Sequence, residues 1–176
     1  MNSTNDQTLF EEQQFFRQTW LWSLLSIIIV LFISLSLIPN HSSNNNDQSL
    51  LIYILLILFI GILILFYKTN LQVRISSSGI NYRWVPFNKN FKIVSFSEID
   101  QIQFKTYKAI REFGGWGYRI GIKATANTVS GNKGIYIQFK SKKKRALLLG
   151  SNKTEELRNV LNDLANKNIV NYSEHD

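Results

Sequence analysis

Two long apolar runs dominate the first part of the chain, and a different pattern follows them. Trp20 to Ile38, WLWSLLSIIIVLFISLSLI, is 19 residues without a charge, and Leu50 to Tyr67, LLIYILLILFIGILILFY, is 18 more. As helices they are about 27–28 Å long, close to the ~30 Å hydrocarbon thickness of a bilayer. Core helices rarely run this far without a polar face. Both runs therefore read as membrane spans, at 20–38 and 50–67, joined by a short polar external loop at 39–49. The expectation is an N-terminal two-helix transmembrane hairpin. The segment 9–19, LFEEQQFFRQT, reads either as a short helix along the membrane surface or as an extension of the first span.

From Asn70 the apolar positions alternate instead of running on. Leu71, Val73 and Ile75 predict one strand, and Ile80, Tyr82 and Trp84 a second. Phe91, Ile93, Val94 and Phe96 mark a third, and Ile99, Ile102 and Phe104 a fourth. Ile120, Ile122 and Ala124 predict a fifth, Ile135, Ile137 and Phe139 a sixth, and Ala146 to Leu149 a seventh. Short period-2 runs separated by Gly, Ser, Asn and Lys turns point to an antiparallel sandwich or barrel. The last element changes period. Leu157, Val160, Leu161 and Leu164 form one helical stripe, with Asn152 as the expected N-cap and Glu155 completing a capping-box pattern. The fold class is therefore α+β. The spans are followed by an antiparallel sandwich or barrel of about seven strands capped by one C-terminal helix, at 70–168, and a tail at 169–176.

Local sequence resembles one family. LQVRISSSGINYRWVPF at 71–87, VSFSEIDQI at 94–102, EFGGWGYRIGIKATANTVSGNKGIYIQF at 112–139, LLLGSNKTEEL at 147–157 and FRQTWLW at 16–22 are similar to the bacterial pleckstrin-homology-like (PH-like) membrane proteins. The resemblance implies a PH-like barrel and a membrane location. It implies no agreed ligand and no catalytic residue. Some such proteins protect cells against bacteriocins, so immunity or envelope stress is the alternative to a plain binding role.

Charge sharpens this picture. Residues 1–67 hold one basic side chain, Arg17, against four acidic ones, and residues 68–176 hold 19 against 8; the two parts, −3 and +11, sum to +8. Arg17, Lys68 and Arg74 flank the apolar runs on one side, and residues 39–49 carry no Lys or Arg. The positive-inside rule then puts both termini in the cytoplasm of a multi-pass bacterial inner-membrane protein. Arg17, Trp20, Trp22, Tyr67 and Lys68 are the expected membrane-interface anchors.

Candidate chemistry is sparse. Lys140, Lys142, Lys143, Lys144 and Arg145 are five basic residues in six, at a predicted turn. Near anionic lipid each is worth about 1 kcal/mol; the plainer reading is a solvated turn. Trp116, among Gly114, Gly115 and Gly117, is either an exposed lipid or partner contact or a ring folded over the core with its backbone bent by glycine; the second is favoured. Arg111, Glu112 and Arg119 read as surface pairs, and Glu98 with Asp100 as exposed strand carboxylates. No cysteine is present, and the two histidines, His41 and His175, lie far apart. This favours a non-enzyme with no metal and no cofactor. The expected partners are the bilayer and either anionic lipid headgroups or a membrane protein. No nucleic-acid motif is present, and the oligomeric state is not legible.

Overall fold

The computed structural model describes residues 7–37 and 45–175. The chain divides into two compact units. One runs up to Phe15 and resumes at Asn70; the other is the insert Phe16–Thr69.

The insert consists of α1 (Thr19–Leu37) and α2 (Asn45–Lys68). Their contacts include Phe32 with Phe59, ring centroids 5.9 Å apart, and Trp22 with Tyr67 at 6.2 Å. Ser26 and Ser34 donate back to Trp22 and Val30 carbonyls at 2.9 and 2.8 Å, which satisfies their hydroxyls within the helix. The transmembrane hairpin expected from sequence needs correction. Among the described residues only Leu50–Lys68 is long and apolar enough to cross a membrane. Among the described residues the apolar stretch of α1, Thr19–Leu35, is shorter than that of α2. Of the expected loop at 39–49, residues up to 44 lie outside the described residues, and 45–49 already belong to α2.

The other unit holds two open sheets and two short helices. The four-stranded sheet has the order β1 (Thr8–Phe15), β2 (Asn70–Ser76), β3 (Gly79–Val85), β4 (Lys92–Ser95), all antiparallel. The six further strands are β5 (Ile99–Thr106), β6 (Gly117–Ile120), β7 (Ala124–Thr128), β8 (Lys133–Phe139), β9 (Ala146–Gly150) and β10 (Tyr172–His175). They form a second sheet in the order β10-β5-β8-β9-β7-β6. Two of its pairings, β10 with β5 and β7 with β9, are parallel. The expected antiparallel sandwich or barrel of about seven strands is corrected: the described strands lie in two sheets that are not closed, and two of the pairings are parallel.

Three further expectations change. The segment 9–19 is neither a surface helix nor an extension of α1 over most of its length. Residues up to Phe15 form β1, with Phe15 the register partner of Asn70, so the insert departs from one strand and returns to its neighbour. The fifth expected strand is instead the hairpin β6–β7. The tail at 169–176 contributes β10.

Buried side chains come from both sheets and from α4 (Thr154–Asn166). They include Leu71, Ile75 and Ile80 from the first sheet, Ile102, Ile135 and Ile137 from the second, and Leu157, Leu161 and Leu164 from α4. Each contributes about 1.5–3 kcal/mol by leaving water. Asn152 does not cap α4: Lys153 occupies that position without a side-chain cap bond. Asn152 Oδ1 instead accepts from Ser130 Oγ at 3.1 Å.

Polar contacts tie the two sheets. Trp84 Nε1 on β3 donates to Asn127 Oδ1 on β7 at 2.7 Å. Gln14 Nε2 on β1 donates to the Gly150 carbonyl at 2.7 Å. Glu12, 4% exposed, accepts from Ser151 Oγ at 2.6 Å and from the Asn152 amide at 2.8 Å.

Candidate functional site

The basic turn between β8 and β9 is exposed from Lys140 through Arg145. Two of its cations are spoken for. Lys140 Nζ donates to the Ser97 carbonyl at 2.9 Å, and Lys144 Nζ pairs with Glu98 at 2.9 Å and lies over the Phe139 ring at 5.5 Å. These contacts fasten the turn to the 3-10 segment Phe96–Glu98. Lys142, Lys143 and Arg145 make no hydrogen bond or ion pair among the described residues. The turn is thus a pinned scaffold carrying three free cations. It holds no apolar side chain from Lys140 to Arg145.

Trp116 belongs to a small core. Tyr107, Ala109, Ala126 and Leu148 are buried together, and Phe113, Trp116 and Tyr136 pack against them. Trp116 Nε1 donates to the Gly131 carbonyl at 2.9 Å, and its own carbonyl accepts from Arg119 Nε at 3.2 Å. The glycines around it shape the backbone. α3 (Ala109–Phe113) ends at Gly114 in the left-handed conformation, φ 73°, with its amide returned to the Ala109 and Ile110 carbonyls. Arg111, Glu112 and Arg119 do not pair with one another: Glu112 takes the Lys108 amide at 2.8 Å and Lys105 at 3.5 Å.

The anchor residues expected from sequence all lie in the insert. Trp20 is 56% and Tyr67 71% exposed, Arg17 and Lys68 are exposed, and Trp22 Nε1 donates to the Phe16 carbonyl at 2.8 Å.

A further surface escaped the sequence reading. β4 and β6 are both free sheet edges. Lys92 of β4 places its ammonium 6.0 Å from the Tyr82 ring and 5.8 Å from the Tyr118 ring of β6, so one cation sits against two phenols at that open edge. Burial raises the Tyr82 pKa, and the nearby Tyr118 phenol adds to the shift. Beyond Tyr118 the hairpin tip is apolar and uncovered: Ile120 is 64% and Ile122 99% exposed. In the sequence Ile120, Ile122 and Ala124 alternate as an inward-facing strand would. Only Gly121 and Lys123 hint that the chain turns there.

Among the described residues no cluster of His, Cys, Asp and Glu has the composition of a metal site. Comparison with known proteins returned no match to any family model, curated protein or solved structure, so the PH-like resemblance rests on the quoted residues alone.

Proposed function

We propose that this chain is a membrane-anchored, non-catalytic binding protein whose β unit presents a basic surface to an acidic protein partner. The observation that carries the reading is α2. Leu50–Lys68 is long and apolar enough to cross a bilayer, and 0% of its apolar window is buried. Ile57 and Leu58 are 70% and 60% exposed. An uncovered apolar surface of this extent needs an apolar environment, and a bilayer supplies one. Lys68 closes α2, and its charge assigns that end, with the β unit that follows it, to the cytoplasmic face of the inner membrane.

Lys142, Lys143 and Arg145 are the contact we assign to the partner. They are exposed cations on a pinned turn, and the absence of apolar side chains suits an acidic protein face better than the interior edge of a bilayer. Electrostatic contacts of this kind steer association and weaken with salt.

Fractionation tests the anchor. The full chain is expected in the membrane pellet after high-salt and urea washes, released only by detergent. Leu55→Lys with Leu58→Lys should move it out of the pellet, since each central lysine costs about 2.5–3.5 kcal/mol on insertion. Full release of the unmodified chain by salt would refute the anchor. Cross-linking from the β8–β9 turn in intact membranes tests the partner: a discrete adduct that disappears at high salt is expected, and labelling of lipid alone would refute the assignment.

A further inference from the structure

The tip of the β6–β7 hairpin has the composition of a lipid-contacting element. Ile120 and Ile122 project two apolar side chains at 64% and 99% exposure among the described residues. Isolated exposed isoleucines are ordinary, but these two stand two positions apart, Ile120 at the end of β6 and Ile122 in the turn itself. Cations border them. Lys123 follows Ile122 directly and is exposed, and Lys92 stands at the base of the hairpin against Tyr118. Neither lysine pairs with a carboxylate among the described residues. The Tyr82 and Tyr118 rings lie 6.0 and 5.8 Å from the Lys92 ammonium, and their hydroxyls make no hydrogen bond among the described residues. An apolar tip with unpaired cations and phenol donors behind it matches the layering of a bilayer surface, acyl boundary first and anionic phosphates next.

From this we infer that the β6–β7 hairpin tip inserts into an anionic bilayer surface, with Ile120 and Ile122 in the acyl boundary and Lys92 and Lys123 at the phosphates. The inference deepens the membrane reading given above and rests on it. It assigns lipid to the hairpin and leaves the basic turn for protein. An edge-to-edge second copy would also cover β6, but two cationic tips repel each other, whereas an anionic surface complements them.

The chain has no native cysteine, so single-cysteine variants of the full chain in lipid nanodiscs report each region separately. A polarity-sensitive fluorophore goes at Ile122→Cys, at Ser141→Cys in the basic turn, or at Ile57→Cys in α2. Quenching by nitroxide-labelled lipid is then compared in phosphatidylcholine discs with and without phosphatidylglycerol. The expected result is at least threefold stronger lipid quenching at 122 than at 141, dependent on phosphatidylglycerol and reversed by Lys92→Glu with Lys123→Glu. Inorganic phosphate at millimolar concentration should not displace the tip, because a bilayer and not a free anion holds it. Quenching at 57 reports the anchor independently. If 57 is quenched and 122 is no more quenched than 141, the hairpin inference is overturned and the anchor stands. If 57 is unquenched, the anchor reading itself fails. Protection of 122 without lipid quenching, together with a dimer by light scattering, would overturn the lipid assignment in favour of a second copy.

Discussion

Replacing Glu12 tests how β1 is held. This carboxylate lies at an inward position of β1, 4% exposed, and receives the Ser151 hydroxyl at 2.6 Å and the Asn152 amide at 2.8 Å. Ser151 Oγ in turn accepts from the Lys153 amide at 3.2 Å, so the carboxylate organises the connection from β9 into α4. Hydrogen bonds to a charged group contribute about 1.5–3 kcal/mol each, and stranded buried donors add to the loss. Glu12→Ala removes both bonds and leaves Ser151, itself 4% exposed, without its acceptor. The expected destabilisation is about 3–5 kcal/mol. Glu12→Gln keeps the volume and one carbonyl acceptor, and should cost about 1–2 kcal/mol. For a unit of this size 1 kcal/mol shifts Tm by roughly 3–6 °C, so the Ala variant should melt at least ~10 °C lower. Thermal unfolding of the full chain in detergent, followed by Trp84 and Trp116 fluorescence in the β unit, reads this out. An Ala variant within about 2 °C of the unmodified chain would refute the reasoning. So would a Gln variant as unstable as the Ala variant, since the loss would then not follow the acceptors.

Burial, with the Glu12 charge adding to it, pushes the Tyr107 phenol up to about 12. The unfolded phenol ionises near 10, so above that pH the unfolded chain loses its proton first. Stability present below pH 10 should therefore fall between pH 10 and 12, and Tyr107→Phe should flatten the fall in alkaline urea titrations. The flattening should be partial, because burial raises Tyr82 and Tyr172 in the same direction. Trp116→Ala should lower Tm by an amount matching about 2–3 kcal/mol, through lost packing and the lost bond to Gly131. It should leave nanodisc association unchanged, and reduced association at unchanged Tm would return Trp116 to the membrane surface. Lys142→Gln, Lys143→Gln and Arg145→Gln together should move stability by less than about 0.5 kcal/mol while abolishing the salt-sensitive cross-link.

Which features the sequence disclosed follows from which side chains face inward. The C-terminal helix was legible because Leu157, Leu161 and Leu164 are both apolar and buried. β2 and β3 were legible for the same reason, through Leu71, Val73, Ile75 and Ile80. β1 was not. Its inward positions are Phe10, Glu12 and Gln14, so two of three buried side chains are polar and the period-2 hydrophobic signal vanishes. Such a strand becomes readable only once its distant acceptors and donors are known, here Gly150, Ser151 and Asn152, more than 130 positions away. β10 failed similarly, since four polar and aromatic residues at the chain end carry no alternation.

The hairpin tip failed in the opposite sense. Ile120, Ile122 and Ala124 alternate, and alternation was read as a buried face, yet only Ala124 is buried. Periodicity detects which residues share a side of a strand. It does not detect whether another layer covers that side. In this unit β6 is the last strand of its sheet, and Lys92 of the four-stranded sheet lies over its Tyr118 ring. The same ambiguity governed the N-terminal runs: both are apolar throughout, and hydropathy alone does not say what covers them. The anchor and the hairpin tip are therefore one kind of problem. Each is apolar surface left exposed among the described residues, and in each the proposal of an anionic bilayer as the missing layer rests on neighbouring cations, Lys68 in one case and Lys92 and Lys123 in the other.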